Sequence, residues 1–345
     1  MRRKLLILIP LAAVVVVASY TGYWFSLAEL VRRGILDWST ARRTEGFTVG
    51  WDHYEIGGFP LTLRVTVAHP IFGQSDVEPG YSAHGPRLVA EAQPWALDQW
   101  RLTAAEGARL DIAPGPARPA TTVDAAALVG TLVRRGDDTA RESGAEVTLE
   151  AERVAIAGQA QLAIAHAAAH AVLPAHRVTS HLETWLSAGI QVAGVTLPAS
   201  MPPLGDTIDH LAAAVAVKGS IASGPHRQAL AAWRDDGGTL EIETIDLGWG
   251  DLALTAKGTL ALDAALQPVG ALASTIRGYN EIIEALVASG SLKAGDAALA
   301  KLALGLLAKQ RPDGTYEIAA PLTLQNGYAY LGPARLARLP NFTWE

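Results

Sequence analysis

Between residues 237 and 277 apolar side chains fall on alternate positions in short runs: Leu240 and Ile242, Leu252 and Leu254, Leu260 and Leu262, then Leu272 and Ile276. Alternation sends every second side chain to one face, so this stretch predicts three or four antiparallel strands with one apolar and one polar face. The same period flanks residues 56–60, with Phe47, Val49, Trp51 and His53 before them and Leu61, Leu63, Val65 and Val67 after. A hairpin over 46–68 follows. Further strands are expected at 87–92, 100–103, 108–112, 147–156, 161–173, 207–220, 316–324 and 327–331, the last pair joined at Asn326-Gly327. Pro114, Pro116 and Pro119 mark a loop. Residues 122–135 fit a helix and a strand equally. Residues 172–205, with Pro198, Pro202 and Pro203, read as turn-rich.

Helical spacing is rarer. Tyr279, Ile282, Ile283, Leu286 and Val287 follow i, i+3, i+4, i+7, i+8, and Gly290 closes the run. Asp296 is placed to cap a second helix carrying Leu299, Leu302 and Leu306. A short helix over 225–235 has Leu230 and Trp233 on one side and ends at Gly237-Gly238.

At the amino terminus Arg2-Arg3-Lys4 precedes an uncharged run over 5–28, about the ~20 residues that a bilayer-spanning helix needs. A cleaved signal would take 5–17 as its apolar core, but Val16-Val17-Ala18 matches the small-x-small cleavage pattern poorly. An uncleaved anchor would use the whole run, with Tyr20, Tyr23, Trp24 and Phe25 as its aromatic belt at the membrane interface. The belt has no purpose under cleavage, so the anchor is preferred. The basic residues ahead of it favour a cytoplasmic amino terminus, leaving the rest of the chain on the outer side. Leu27, Leu30, Val31 and Trp38 then lie at roughly helical spacing, an amphipathic helix at the interface or packed on the first strands. The expected organisation is a membrane helix at 1–28, a linker helix at 29–45 and a β-rich domain at 46–345. That domain has room for two sub-sheets, 46–173 and 206–345.

Composition removes several functions. There is no cysteine, hence no disulfide framework, thiolate zinc site or cysteine nucleophile. The formal charge is −6 although Arg2, Arg3 and Lys4 add three positive charges at one end. An acidic body without a basic stripe does not suit nucleic acid. His166 and His170 are four apart, with His176 and His181 nearby, and on a helix that spacing supplies two zinc ligands. Ala167, Ala168 and Ala169 between them leave no acidic general base, and the flanking alternation favours a strand with exposed histidines. No Gly-x-Ser-x-Gly elbow, Walker loop or dinucleotide fingerprint is present. Asp137-Asp138 and Asp235-Asp236 sit beside glycine and read as turns. Trp51, Trp95, Trp100 and Trp249 read as packing residues in or beside strands. No catalytic residue, metal or cofactor is expected.

Several short segments together resemble a known pattern: Gly-Phe-Pro-Leu-Thr-Leu-Arg at 58–64, Trp233, Gly237-Gly238-Thr-Leu, Leu-Gly-Trp-Gly-Asp-Leu at 247–252, Lys-Gly-Thr-Leu-Ala-Leu-Asp at 257–263, and Asn-Gly-Tyr-Ala-Tyr-Leu-Gly-Pro at 326–333. Spread over nearly the whole chain, they resemble an uncharacterised bacterial envelope family, domain of unknown function 2125, and more widely the AsmA-like group. That resemblance implies a bacterial inner-membrane anchor, a large curved periplasmic sheet and a part in outer-membrane lipid or protein homeostasis. It supplies no catalytic residues.

The expected fold class is therefore mainly β, a β-rich α+β chain with an amino-terminal membrane helix, a large antiparallel sheet and a few covering helices. A one-faced sheet must cover its apolar side. If two helices cover it only in part, the remainder forms a groove for lipid, with Leu61, Leu63, Val65, Leu252, Leu254, Leu260 and Leu262 as candidate lining. The alternative is an assembly protein that offers a sheet edge to an outer-membrane client. A histidine-metal hydrolase is a third reading, and requires His166 and His170 to converge with another ligand.

Overall fold

The computed structural model describes residues 2–115, 119–136, 144–158, 160–222, 224–288, 290, 293–312, 314–332, 334–342 and 344. Pro116, Asp137, Asp138 and Pro333 lie outside them. With 54% of residues in strands and 21% in helices, the chain is mostly β. Its paired strands run antiparallel throughout, as the alternating pattern predicts. It divides into two compact units, Met1–Val133 with Ile156–Gln159, and Arg134–Ala155 with Ala160–Glu345.

The first unit begins with α1 (Arg2–Thr44), one unbroken helix where the sequence suggests an anchor and a separate linker helix. Its sheet is built from β1 (Thr48–Gly50), β2 (His53–Gly57), β3 (Leu63–Ala68), β4 (Ile71–Gln74), β5 (Tyr81–His84), β6 (Arg87–Gln93), β7 (Ala96–Ala104), β8 (Ala108–Ile112) and β9 (Thr121–Arg135). These are five long strands, four of them broken near the middle. β2 pairs β3, β3 pairs β6, β6 pairs β7, and β7 pairs the second half of β9. Beyond the break β1 pairs β4, β4 pairs β5, β5 pairs β8, and β8 pairs the first half of β9. The breaks fall at Trp51-Asp52, His69-Pro70, Gly85-Pro86 and Glu106-Gly107. Proline has no N–H to give to a ladder, and His69 and Gly107 take positive φ (46° and 96°), so pairing stops at the same level across the sheet. β9 passes the level intact, which settles residues 122–135 as strand.

The packed stripe of α1 is Trp24, Ala28, Val31, Ile35 and Ser39, spaced four, three, four and four residues. Leu30 and Trp38, which the spacing assigns to the apolar stripe, are about half exposed. Trp24 and Ala28 close over Leu63, with Val31, Ile56, Leu97 and Trp100 around them.

The second unit contains β10 (Gly144–Ala157), β11 (Gln161–Leu173), β12 (Thr184–Met201), β13 (Gly205–Lys218), α2 (His226–Asp235), β14 (Thr239–Trp249), β15 (Leu252–Leu262), β16 (Pro268–Arg277), α3 (Tyr279–Ala288), α4 (Ala294–Leu307), β17 (Ala308–Gln310), β18 (Tyr316–Gln325), β19 (Tyr328–Leu331) and β20 (Ala334–Arg338). From β11 to β16 each strand pairs the next; β16 then pairs β18, which pairs β19 and β17, and β19 pairs β20. The turn-rich expectation for 172–205 is corrected by β12, eighteen residues long. Its Gly, Ala and Pro content hides the alternation that pairing with β11 and β13 enforces.

The 237–277 stretch forms β14, β15 and β16 as expected. A bulge between Ile242 and Ile245 inserts one residue, so Leu240 and Ile242 share a face with Ile245 and Leu247 despite the change of parity. Val215, Ile242 and Leu272 line up across the ladder with Leu322 beside them. α3 and α4 lie over the next part of that face, where Tyr279, Ile283 and Ala297 bury Ile318 and Leu331. Asp296 lies in the first turn of α4, not at its cap; Lys293 holds that position without a side-chain bond. The Asn326-Gly327 turn forms with both residues at positive φ.

Candidate functional site

The most specific contacts in the first unit join α1 to two loops at one end of its sheet. Trp24, 3% exposed, packs on Leu63, which is fully buried, and its Nε1 donates to the Thr62 carbonyl at 3.2 Å. The Tyr20 hydroxyl donates to the Pro60 carbonyl and the Tyr23 hydroxyl to the Pro94 carbonyl at 2.8 Å. Phe59 lies against Tyr20, stacks on Phe25 and meets Trp24 edge-on. Each aromatic thus gives an apolar ring to the loop and, where it has one, a donor to a loop carbonyl. Further along the helix Trp38 stacks on Phe72, and the Arg43 Nε donates to the Val49 carbonyl. Side chains around residues 20–25 and 38–43 therefore fasten that part of α1 along the sheet. Its preceding apolar segment is uncovered, with Leu11 and Val14–Val17 exposed.

A second feature is the crease where the strands break. A shallow concavity of about 540 Å³ is lined there by residues including His69, Pro70, His84, Glu106, Arg109 and Asp124. Its ionisable lining groups are all engaged. His69 Nδ1 meets Asp52 at 2.8 Å, His84 Nε2 meets Asp111 at 2.9 Å, and Arg109 pairs with Asp124 and Glu106 with Arg87. The hydrogen bond from His84, helped by the Thr122 hydroxyl and the charge of Arg109, holds the Asp111 carboxyl below the usual range against the opposing effect of burial. Asp124 raises the Arg109 guanidinium further above its ordinary value. These pairs tie neighbouring strands together across the crease. The alternation pattern does not reveal it; the signal is a Pro or Gly at matching levels of successive strands.

The sequence-predicted groove residues divide between the two units, Leu61, Leu63 and Val65 in the first and Leu252, Leu254, Leu260 and Leu262 in the second. Leu63 and Val65 are core of the first unit, while Leu61 is 64% exposed at the loop tip. Leu252 is buried with Leu204 and Ala285, Leu260 packs beside Ile242, Ala256 and Leu272, and Leu254 and Leu262 are half-buried. None of the seven lines the crease, the hollow over Thr244, Lys257 and Ser274, or the hollow beside Trp100. Of the aromatic belt, Tyr23 and Phe25 are exposed, Tyr20 is half-buried and Trp24 is core. His166 and His170 point to the same face of a strand. His166 bonds Glu152 at 3.0 Å, and His170 covers Gly189, where a Cβ would lie 2.3 Å from the ring. Among the described residues no three His, Cys, Asp or Glu side chains converge as a metal site.

A family model described as an uncharacterized protein conserved in bacteria (DUF2125) matches residues 24–340. The chain belongs to that family. The match begins at Trp24, the residue that fastens the helix to the sheet, and runs through both units. No curated protein and no solved structure matches, so the DUF2125 family is what the comparisons establish and the wider AsmA-like likeness has no support from them.

Proposed function

We propose that this DUF2125 protein is a non-enzymatic, single-pass tethered scaffold of the bacterial inner membrane, holding a β-sheet against the periplasmic surface of the bilayer. One observation carries the reading. The helix that is apolar and uncovered over residues 11–19 is, from Tyr20 onward, fastened to the sheet through Tyr20, Tyr23 and Trp24. A cleaved leader has no reason to form the core of the mature domain, and Trp24 supplies such core. The arginines and lysine at residues 2–4 favour a cytoplasmic amino terminus. A lipid-sheltering trough has less support, because Leu63, Val65 and Leu252 are already covered by protein. An interaction role is favoured by α4, whose outward Leu299, Leu302 and Leu306 are exposed while its other side packs on the sheet.

The test is fractionation combined with protease access. The full chain is expected in the membrane fraction, resistant to carbonate extraction, with its β units digested by protease added to spheroplasts. Recovery as a shortened protein in the periplasmic supernatant would overturn the tether, and protection in intact spheroplasts would overturn the orientation.

A further inference from the structure

Resting on the tether reading, we propose that the two loops gripped by α1 form a second, non-covalent membrane contact. Phe59, Leu61 and Trp95 would enter the headgroup–acyl boundary of the bilayer that the helix crosses.

The level of the bilayer follows from the helix itself. The apolar run starts at Leu5, and at about 1.5 Å per residue a hydrocarbon core of about 30 Å takes up about 20 residues. It therefore ends near Trp24 and Phe25, the residues that contact the loops. Ending the span earlier, at Tyr20, leaves only about 24 Å of apolar helix, short of that thickness. Whatever lies beside residues 20–25 must then lie at the bilayer boundary.

The loops are made for that position. Phe59 is 47% exposed, Leu61 64% and Trp95 60%. They sit at the β2–β3 and β6–β7 turns, at the same end of the sheet, since Leu63 pairs Ala92 and Gln93 pairs Ala96. Residues 56–63 and 93–97 carry no charge; the first charges beyond them include Arg64 and Glu91, which pair with each other across the strands. Unpaired backbone carbonyls are costly where water is scarce. Here the carbonyls of Gly58, Pro60, Thr62 and Pro94 accept bonds from the Thr62 amide, Tyr20, Trp24 and Tyr23. Aromatic side chains with one polar end suit the boundary, and Tyr20, Tyr23 and Trp95 add to it from helix and loop alike. A contact of this kind fixes the orientation of the first unit on the membrane, which one helix alone leaves free to swivel.

The chain has no cysteine, so single labels are available in the full-length protein. The variants Leu61→Cys, Trp95→Cys, Val15→Cys and Glu78→Cys, each carrying an environment-sensitive fluorophore, are reconstituted in phosphatidylethanolamine–phosphatidylglycerol vesicles with nitroxide-bearing lipids. Val15 reports the span and Glu78 the opposite end of the sheet, in the β4–β5 turn. The expected result is quenching and a blue shift at positions 15, 61 and 95, and neither at 78. Quenching at 15 without quenching at 61 and 95 overturns the loop contact and leaves the tether standing. No quenching at 15 overturns the tether and the loop contact with it. Retention of the far-ultraviolet β signal in each labelled protein ensures that the readings come from folded chain.

Discussion

The indole of Trp24 donates its N–H to the carbonyl of Thr62 while its ring closes over Leu63. One side chain thus satisfies a loop carbonyl and completes a core. Trp24→Ala removes both contributions, and loss of a buried tryptophan costs about 3–5 kcal/mol. The expected outcome is a helix that detaches over residues 20–44 before the sheet melts. Limited proteolysis in detergent, with new cleavage confined to that segment, measures it; an unchanged digest would show that the clasp is not what holds α1.

Leu61 and Leu63 share one face by alternation but not one environment, being 64% and 0% exposed. Leu63→Ala is expected to cost about 2–5 kcal/mol through the cavity it leaves. Leu61→Ala is expected to stay within about 0.5 kcal/mol in detergent. Denaturant midpoints of the two variants provide the comparison, and similar losses in both would contradict the assignment of Leu61 to the surface.

Gly258 occupies a close crossing of β15 and β16, where an added Cβ would lie 2.3 Å from the Ala271 carbonyl oxygen and 2.7 Å from the Leu272 Cα. Both atoms are backbone, so the strands must separate to admit it. Gly258→Ala is expected to destabilise the second unit by about 1–3 kcal/mol. Thermal unfolding checks this, and a rise in midpoint would refute the close approach.

Asp111 carries a pH dependence whose sign is set by its partners. Its folded carboxyl is held below the ordinary value, first by the hydrogen bond from His84. The stabilisation is therefore complete above the unfolded value and lost as the pH falls through the folded one. Asp111→Asn removes that acid-side loss. Urea midpoints measured from about pH 7 down to about pH 3, across the carboxylate range, are expected to fall less steeply in the variant. Parallel curves would show that the pair contributes nothing.

Much of the fold was legible because alternation is a local property. Residues 161–173 read as a strand and form β11 with those bounds, and 108–112 likewise form β8. β12 escaped because glycine and alanine give little contrast between its faces, and its extended form is held by two neighbouring strands. The crease was hidden for a related reason: Pro70, Pro86 and Gly107 are unremarkable singly and meaningful only when pairing sets them at one level.

By itself the sequence determined the strand period, the absence of cysteine chemistry, the Asn326-Gly327 turn and an apolar amino-terminal run long enough to span a bilayer. These follow from neighbours along the chain. Only the tertiary structure decided that Trp24 belongs to the core rather than to a belt, that Leu61 and Leu63 have opposite fates, and that α1 and the sheet form one body in the first unit. Alternation names which side chains share a face; what covers that face is set by residues distant in the chain. Trp24 and Leu63, thirty-nine positions apart, become neighbours only when the helix lies along the strands.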